Sequence, residues 1–465
     1  MEVKNIISEK QKHLKIINNY KFCFHKCLAN NIQRWKCTVK SCKAYLKINE
    51  NDHVLLNMSD TVHNHDALSE AIINRQIVSN SLKRKGTQEV YERPAKLIHR
   101  HLKESIDTSV KNTLTITDIR YIKNNLYRAR SEQLPKLPTN ILTVHSVLNA
   151  IDCTTNENEP FMYLNDSING IVMFTCKSNL EFLSKIKTVY VDGTFEYCTQ
   201  FFCQLFTVHG LFNNYYVPLV YFLLKDKQTI TYSEAFKAID LECSKVCQEF
   251  KIDIIYVDFE VSIHKAIQEI WPETLIKGCR FHLGQLWWRK IQDQGLAKEY
   301  GLDGEVGNYL SYIFGLSFLS PEEVGDFFSF ELSEIQPADS KVVDFADYLV
   351  NNYISEESLF PPSIWAENSS SLQRTTNACE SFHKKFNSFF NSSHPNIYTF
   401  LDVLKIMQTD SVMLIKSSLI SVRQYRKQRQ NNILFVENQI KKLNENKITR
   451  LDFVKSLSNK YKPNF

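Results

Sequence analysis

The chain has 465 residues, too many for one small core, and corresponds to about three domains at about 100–200 residues each. Apolar residues make up 43% and charged residues 23%, with only 12 Gly and 12 Pro, which excludes a collagen-like or largely disordered chain. The net charge of +5 conceals a segregation: residues 1–140 carry 25 Lys and Arg against 13 Asp and Glu, residues 141–400 carry 18 against 33, and residues 401–465 carry 13 against 5. Basic ends suit a polyanion such as DNA and an acidic middle suits a metal-dependent site, whereas the alternative is that these charges only solvate helices.

The first residues carry no apolar secretory run, so we expect the 12 cysteines to lie in a reducing compartment and not to form a disulfide framework. The most apolar stretch, residues 201–224, is interrupted by His209, Asn213, Asn214 and Pro218. It therefore predicts a pair of buried strands and no membrane span.

A metal site is predicted near the N-terminus from Cys37-x4-Cys42 and His63-x-His65. Two thiolates and two imidazoles complete the tetrahedral shell of Zn²⁺, and a segment this short needs a metal to stabilise its fold. Two alternatives stay open: a ligand set that uses Cys23 and Cys27, and an incidental collection of Cys and His.

Residues 67–150 are polar and basic, and the apolar spacing within 95–106 and 119–130 predicts helices. The two prolines within 134–139 predict a linker. We expect this basic helical region to bind DNA or to act as a linker.

From about residue 150 the pattern changes to strands at 187–191, 205–211 and 215–224, a helix at 230–250, a strand at 252–257, a helix at 261–270, a strand at 275–279 and a helix at 283–292. This mixture predicts an α/β core. Residues 296–372 have helical spacing without clear strands and are interpreted as a helical insertion. Residues 378–390 and 398–460 also predict helices.

Two of the predicted strands end alike, in Tyr190-Val-Asp192 and Tyr256-Val-Asp258. If the strands are parallel neighbours about 4.8 Å apart, both carboxylates lie at the edge of the sheet where ligands bind. Carboxylates suit Mg²⁺ or Mn²⁺. A single Asp after a strand is more often a turn or capping residue.

A third acid is predicted at Glu380, on a helix that begins with Asn377 as its N-cap and also carries His383. The alternative is that Glu380 only caps its own helix. Cys279 and His282, three residues apart, are either packing residues or participants in an active site.

The Cys/His segment resembles a FLYWCH-type zinc finger through Trp35, Cys37, Cys42, Ala44 and His63-Asn-His65. This resemblance implies a zinc module that binds DNA or protein. We therefore assign residues 1–66 to it, and residues 67–150 to the basic helical region.

The span from about 185 to 390 resembles the catalytic domain of Mutator-like (MULE) transposases. It contains Tyr190-Val-Asp-Gly-Thr-Phe195, Asp258, Cys279-Arg-Phe-His282 and Thr375-Thr-Asn-Ala-Cys-Glu-Ser-Phe-His383 in the order of that family. Thr-Thr-Asn replaces the commoner Thr-Asn-Asn, and no Cys follows Cys379, so the further Cys/His finger of many members is absent from this sequence.

The resemblance implies an RNase H-like fold in residues 151–400, with the insertion at about 296–372 and basic C-terminal helices at 401–465. It implies that Asp192, Asp258 and Glu380 hold two Mg²⁺ or Mn²⁺ ions about 3.5–4 Å apart, with Cys279, His282 and His383 as supporting residues.

The function expected from these features is a nuclear DNA transposase that cuts and joins double-stranded DNA at element ends and at a target, with a possible homo-oligomer. One alternative is a domesticated zinc-finger regulator that keeps the transposase domain as a scaffold. A second is a structure-selective nuclease of the RNase H type.

Overall fold

The computed structural model describes residues 3–8, 12–50, 53–88, 92, 94–104, 110, 112–247 and 250–462. The chain divides into two compact units, Met1–Leu137 and Pro138–Phe465. The division falls within the proline-containing segment 134–139. No helix in these described ranges is long and apolar enough to cross a membrane.

The first unit begins with an antiparallel sheet whose five strands follow each other in chain order. They are β1 (Lys4–Ile7), β2 (His13–Ile17), β3 (Tyr20–Cys27), β4 (Gln33–Cys37) and β5 (Tyr45–Ile48). Asn18 and Asn19 form the tight turn between β2 and β3 with positive φ angles of 48° and 63°, which asparagine tolerates better than most residues.

In the described part of the first unit the sheet is followed by the helices α1 (Glu70–Gln88), α2 (Pro94–Glu104) and α3 (Ile116–Ser131). They bury a small apolar core that includes Leu82, Ile98 and Leu126. Helix α3 begins with a capping box in which Thr115 and Asp118 bond each other's backbone N–H groups.

The second unit is built on a seven-stranded mixed sheet, which confirms the predicted α/β character. Its elements to residue 293 are α4 (Ile141–Ala150), β6 (Met162–Asp166), β7 (Ile171–Phe174), α5 (Lys177–Leu183), β8 (Thr188–Thr194), β9 (Gln204–Phe212), β10 (Tyr215–Leu224), α6 (Thr229–Val246), β11 (Ile254–Val257), α7 (Val261–Ile270), β12 (Leu275–Gly278) and α8 (Arg280–Asp293). The strand order is β12-β11-β8-β9-β10-β7-β6.

Strands β8, β9 and β10 form an antiparallel meander, whereas β11 and β12 run parallel to β8. Asn213 and Asn214 make the two-residue turn between β9 and β10 with φ angles of 48° and 64°. The prediction missed the β6–β7 hairpin, which pairs with the outer edge of β10.

The remaining chain is helical. The helices are α9 (Ala297–Tyr300), α10 (Glu305–Ile313), α11 (Pro321–Asp326), α12 (Ser340–Leu349), α13 (Pro362–Trp365), α14 (Asn377–Ser388), α15 (Ile397–Ile420), α16 (Lys427–Asn444) and α17 (Arg450–Tyr461), with π-helical turns at Phe327–Leu332 and Val350–Ile354.

Two apolar cores position these elements in the second unit. Helices α5, α6 and α7 cover one face of the sheet, around Val189, Phe206 and Phe236. Helices α14 and α15 pack on β8 and β10. Helix α8, the helices of 296–372 and the C-terminal pair α16 and α17 share a separate core that includes Trp287 and Phe453.

Candidate functional site

The first unit brings together Cys37, Cys42, His63 and His65, whose ligand atoms all lie within 4.8 Å of one another. Cys37 Sγ lies 3.2 Å from His65 Nε2, and Cys42 Sγ lies 3.4 Å from His63 Nδ1. These separations suit a tetrahedral shell in which the metal is about 2.0–2.3 Å from each ligand. The four residues therefore form a possible Cys2His2 zinc site.

Surrounding groups hold these ligands in place. The ring of Tyr20 stacks on His63 with centroids 3.6 Å apart, and His65 Nδ1 lies 2.9 Å from the carbonyl oxygen of Asp66. Contacts of this kind fix the orientation of a metal-binding imidazole. Burial lowers the pKa of His63, which favours the neutral form that binds metal.

The two thiols have different surroundings. Burial raises the pKa of Cys37. Burial also acts to raise that of Cys42, but hydrogen bonds from the backbone N–H groups of Ala44 and Asn64 outweigh it and lower the pKa. Metal coordination deprotonates such a thiol in either case.

Cys23 and Cys27 do not join this group of ligands. Both lie on β3, where Cys23 packs beside the apolar contacts between the sheet and α1, and Cys27 is exposed. The alternative ligand set built on these two residues is therefore not assembled.

In the second unit, the repeated Tyr-Val-Asp sequence lies on neighbouring parallel strands. Tyr256 of β11 is directly opposite Tyr190 of β8, and their rings stack with centroids 4.8 Å apart. Because side chains alternate along a strand, Asp192, two residues further on in β8, projects from the same face as Tyr190. Asp258 follows directly after the last residue of β11, whereas β8 continues to Thr194, so Asp192 lies within its strand and not at the predicted end.

The tyrosine pair also positions the third acid. Tyr190 and Tyr256 pack against the buried Cys379 of α14, and the hydroxyl of Tyr190 donates to the carbonyl of Gln373 at 2.9 Å. Helix α14 is thus anchored on the strands that carry the two aspartates. The next residue on α14 is Glu380.

His282 of α8 joins the second and third acids. Its Nδ1 lies 3.6 Å from Asp258 Oδ1, and its Nε2 lies 3.3 Å from Glu380 Oε1. Burial acts to lower its pKa, but interactions with Cys279, Glu380 and Asp258 outweigh burial and raise the pKa to about 11. The imidazole therefore lies between two of the three carboxylates.

The predicted start of helix α14, which carries Glu380, was wrong by one residue. Thr376 is the N-cap and Asn377 is the first helical residue, so Glu380 is not at the capping-box position. The helix start is held instead by the buried thiol of Cys279, which accepts from the backbone N–H of Thr376 at 3.2 Å and from its hydroxyl at 3.3 Å.

Asp192 belongs to a buried polar chain. His383 Nδ1 lies 3.3 Å from Asp192 Oδ2, and His383 Nε2 lies 2.9 Å from the hydroxyl of Thr207. The same hydroxyl lies 3.1 Å from His209 Nε2. Thr207 and His209 were not predicted, because within an apolar strand they carry no local signal of a polar role.

A cavity of about 280 Å³ opens beside the first two acids and is lined by Asp192, Asp258, Lys227, Arg289 and His282, among others. Within the described ranges, the three carboxylates do not form a group close enough to share one ion, unlike the Cys/His cluster. His282 joins Asp258 to Glu380, whereas His383 contacts only Asp192 among the three acids.

Comparison with known families gives a match to the MULE transposase domain over residues 188–285. The matched segment contains Asp192, Asp258, Cys279 and His282 and ends before Glu380. The match supports a transposase-related function, which implies DNA binding and use of a divalent metal. No curated protein matches the chain.

Proposed function

We propose that this protein is a DNA transposase of the Mutator-like type, with Asp192, Asp258 and Glu380 as its catalytic carboxylates. The observation that carries the proposal is that Tyr190 and Tyr256, each two residues before an aspartate, lie opposite each other on parallel strands inside the matched domain. The contact of His282 with both Asp258 and Glu380 supports the inclusion of the third acid.

The proposal includes an RNase H-like core within residues 151–400. It is supported by the three antiparallel strands β8–β10, followed by β11 and β12 added in parallel on the other side of β8. Helices cover both faces of this sheet. The carboxyl ends of its parallel strands are where ligands bind in open α/β sheets.

Asp192, Asp258 and Glu380 would hold Mg²⁺ or Mn²⁺. Their oxygens are the hard ligands that these ions prefer, and two of the acids, Asp258 and Glu380, contact the same imidazole, that of His282. When bound, two such ions activate a water or a DNA 3′-hydroxyl as nucleophile and stabilise the charge on the leaving oxygen.

The chain's own residues then have separate roles. His383 orients the Asp192 carboxylate through its Nδ1 contact. Cys279 holds the start of the helix that carries Glu380. Lys227 and Arg289 line the cavity beside the acids and would bind phosphate oxygens of the DNA.

We further propose that residues 1–66 bind zinc as a FLYWCH-type finger and that this module and the basic residues 67–150 bind the ends of the element. The excess of Lys and Arg in residues 1–140 supports contacts with phosphates. We also propose that the protein acts on DNA in the nucleus, which a fluorescent fusion would test.

The test begins with the genomic flanks of the coding sequence, where terminal inverted repeats bounded by short direct duplications are expected. The purified chain is incubated with a labelled DNA that carries these repeats and with Mg²⁺. We expect cleavage at the repeat ends that is abolished by Asp192→Asn and by EDTA, and retained by Asp402→Asn, a change at an exposed acid of α15.

A second DNA added as a target separates the remaining functions. Joining of the cut end to this target supports a transposase, and cleavage without joining supports a nuclease. Specific binding to the repeats with no cleavage in Mg²⁺ or Mn²⁺ would overturn the catalytic proposal in favour of a DNA-binding regulator.

A further inference from the structure

A second concave surface of the second unit lies apart from the acids. This groove has a volume of about 930 Å³ and is lined by residues of β9, β10, α14, α15 and α16 and by the segment that joins α15 to α16. Helix α14 contributes Asn377, Ser381 and Lys385 to the groove, whereas Glu380 projects from a different face of the same helix.

The groove is strongly cationic. Its basic side chains are Arg280, Lys385, Arg423, Arg426 and Arg429. The described lining contains one acidic side chain, Asp410, which forms an ion pair with Lys385 at 2.7 Å. An anionic ligand is therefore the complement of this surface.

Two of these arginines have buried N–H groups without a hydrogen-bond partner among the described residues, namely Nη1 of Arg280 and Nε of Arg429. Burial lowers the pKa of Arg280 to about 10, so its guanidinium is still cationic at neutral pH. Both guanidinium groups therefore add positive charge to the lining of the groove.

Aromatic rings lie among the cations. Tyr216, Tyr425 and Tyr461 line the groove, and the guanidinium carbon of Arg429 is 4.2 Å from the ring centroid of Tyr425. Arginines interleaved with aromatic rings are how proteins bind single-stranded nucleic acids, since the phosphates contact the cations and the bases stack.

The basic segment is held rigidly by the turn between β9 and β10. The N–H of Arg423 donates to the carbonyl of Asn213 at 2.9 Å, and the side-chain amide of Asn214 donates to the carbonyl of Arg423 at 3.1 Å. The hydroxyl of Tyr425 donates to Asn214 Oδ1 at 2.7 Å. The groove is thus organised before a ligand arrives, which favours binding.

We propose that this groove binds an unpaired segment of a DNA strand. Its volume lies at the upper end of the range of about 300–1,000 Å³ for pockets that enclose compact ligands, which is enough for a few unpaired nucleotides. The choice of DNA as the anion rests on the proposed function, whereas the cationic character of the groove does not.

The test measures binding of the full-length chain to a fluorescein-labelled oligothymidylate of about ten nucleotides, by anisotropy over a range of salt concentrations. The variant is Arg423→Gln with Arg426→Gln. The matched control is Lys416→Gln with Lys427→Gln, which removes the same charge from exposed positions that flank the groove and do not line it.

We expect the groove variant to bind at least ten-fold more weakly and to lower the magnitude of the salt slope by about 1.4, since two phosphate contacts at about 0.7 each are lost. The control variant should keep both values. Equal losses in the two variants, or no binding by the wild-type chain, would overturn the proposal.

A third variant, Asn214→Gly, tests the role of the anchored segment without the risk that misfolding causes the weaker binding. Glycine adopts the positive φ of 64° without strain, and the substitution leaves every charge in place. We expect several-fold weaker binding with an unchanged salt slope, and unchanged affinity would contradict the role of the anchored segment. A polyglutamate peptide that displaces the oligonucleotide at equal charge concentration would show that the groove is a site for acidic peptides, which refutes the DNA assignment.

Failure of this inference is distinguishable from failure of the proposed function. Asp192→Asn should abolish cleavage and leave oligothymidylate binding intact. If the wild-type chain does not cleave DNA, the transposase proposal is refuted. If the two charge variants still differ in oligothymidylate binding as expected, the groove proposal is retained.

Discussion

Removal of the hydroxyl of Thr207 should destabilise the second unit and disturb Asp192. The Thr207 hydroxyl donates to the backbone carbonyl of Asp192 at 3.2 Å and lies within hydrogen-bond distance of Nε2 of both His383 and His209. His383 in turn contacts the Asp192 carboxylate through its Nδ1. Thr207→Val keeps the shape of the side chain but leaves both histidine Nε2 atoms without a partner.

The magnitude follows from burial. Thr207, His209 and His383 are 0%, 1% and 5% exposed, so water does not replace the lost contacts. Each buried group left unsatisfied costs about 1–3 kcal/mol, which gives a loss of at least about 2 kcal/mol in the free energy of unfolding. Thr207→Ser keeps the hydroxyl and removes one methyl group, at a cost of about 1 kcal/mol.

The assay is urea denaturation followed by tryptophan fluorescence, which reports mainly on the second unit because Trp271, Trp287, Trp288 and Trp365 lie there. Cleavage of the repeat DNA is measured in parallel. We expect the Val variant to be less stable than the Ser variant and to cleave more slowly. Equal stability of the two variants would refute the hydrogen-bonded chain.

Three further outcomes are expected. Cys37→Ser should lose the zinc, about one per chain by metal analysis, whereas Cys23→Ser should keep it; the reverse result would restore the alternative ligand set. Glu380→Gln should lower Mg²⁺-dependent cleavage by orders of magnitude with little change in melting temperature, because Glu380 does not cap its helix; normal cleavage would remove it from the catalytic set. Burial, followed by the charge of a neighbouring histidine, lowers the pKa of His209 well below 6.5. The contribution of neutral His209 to the free energy of unfolding is therefore complete above about pH 6.5. This contribution is lost as the pH falls toward the lowered pKa of the folded state. A His209→Gln variant should show a flatter dependence of melting temperature on pH between 7 and 5, and an unchanged slope would contradict this origin.

Much of the central sheet was predictable because its signals are local. The strand Tyr215–Leu224 and the helix Val261–Ile270 have the predicted bounds, since a long apolar run beside an Asn-Asn turn and a clear helical period each specify one structure. The four-residue strand Ile171–Phe174 was missed because a short, fully buried apolar run has no period that separates a strand from a helix.

The site was predictable only in part, because some of its contacts join residues that are far apart in the sequence. The repeated Tyr-Val-Asp sequence predicted two neighbouring parallel strands, and the register that places Tyr190 opposite Tyr256 confirms this arrangement of β8 and β11. The partners of His383 depend on a contact between α14 and β9, elements far apart in the chain, and no spacing within either one reveals it. The cationic groove likewise joins Arg280 to residues beyond 420, a distance that only the fold spans.

The shared core of the helices of 296–372 and the C-terminal pair has a consequence for truncated products of the gene. Val436, Phe453 and Leu457, which follow all three acids in the chain, are fully buried in that core. A premature stop codon after residue 388 would therefore spare every proposed catalytic carboxylate and still expose the apolar surface that these residues cover. Copies shortened in this way would encode proteins prone to aggregation and degradation, so an intact set of acids in a gene copy is not sufficient to identify one that encodes a stable protein.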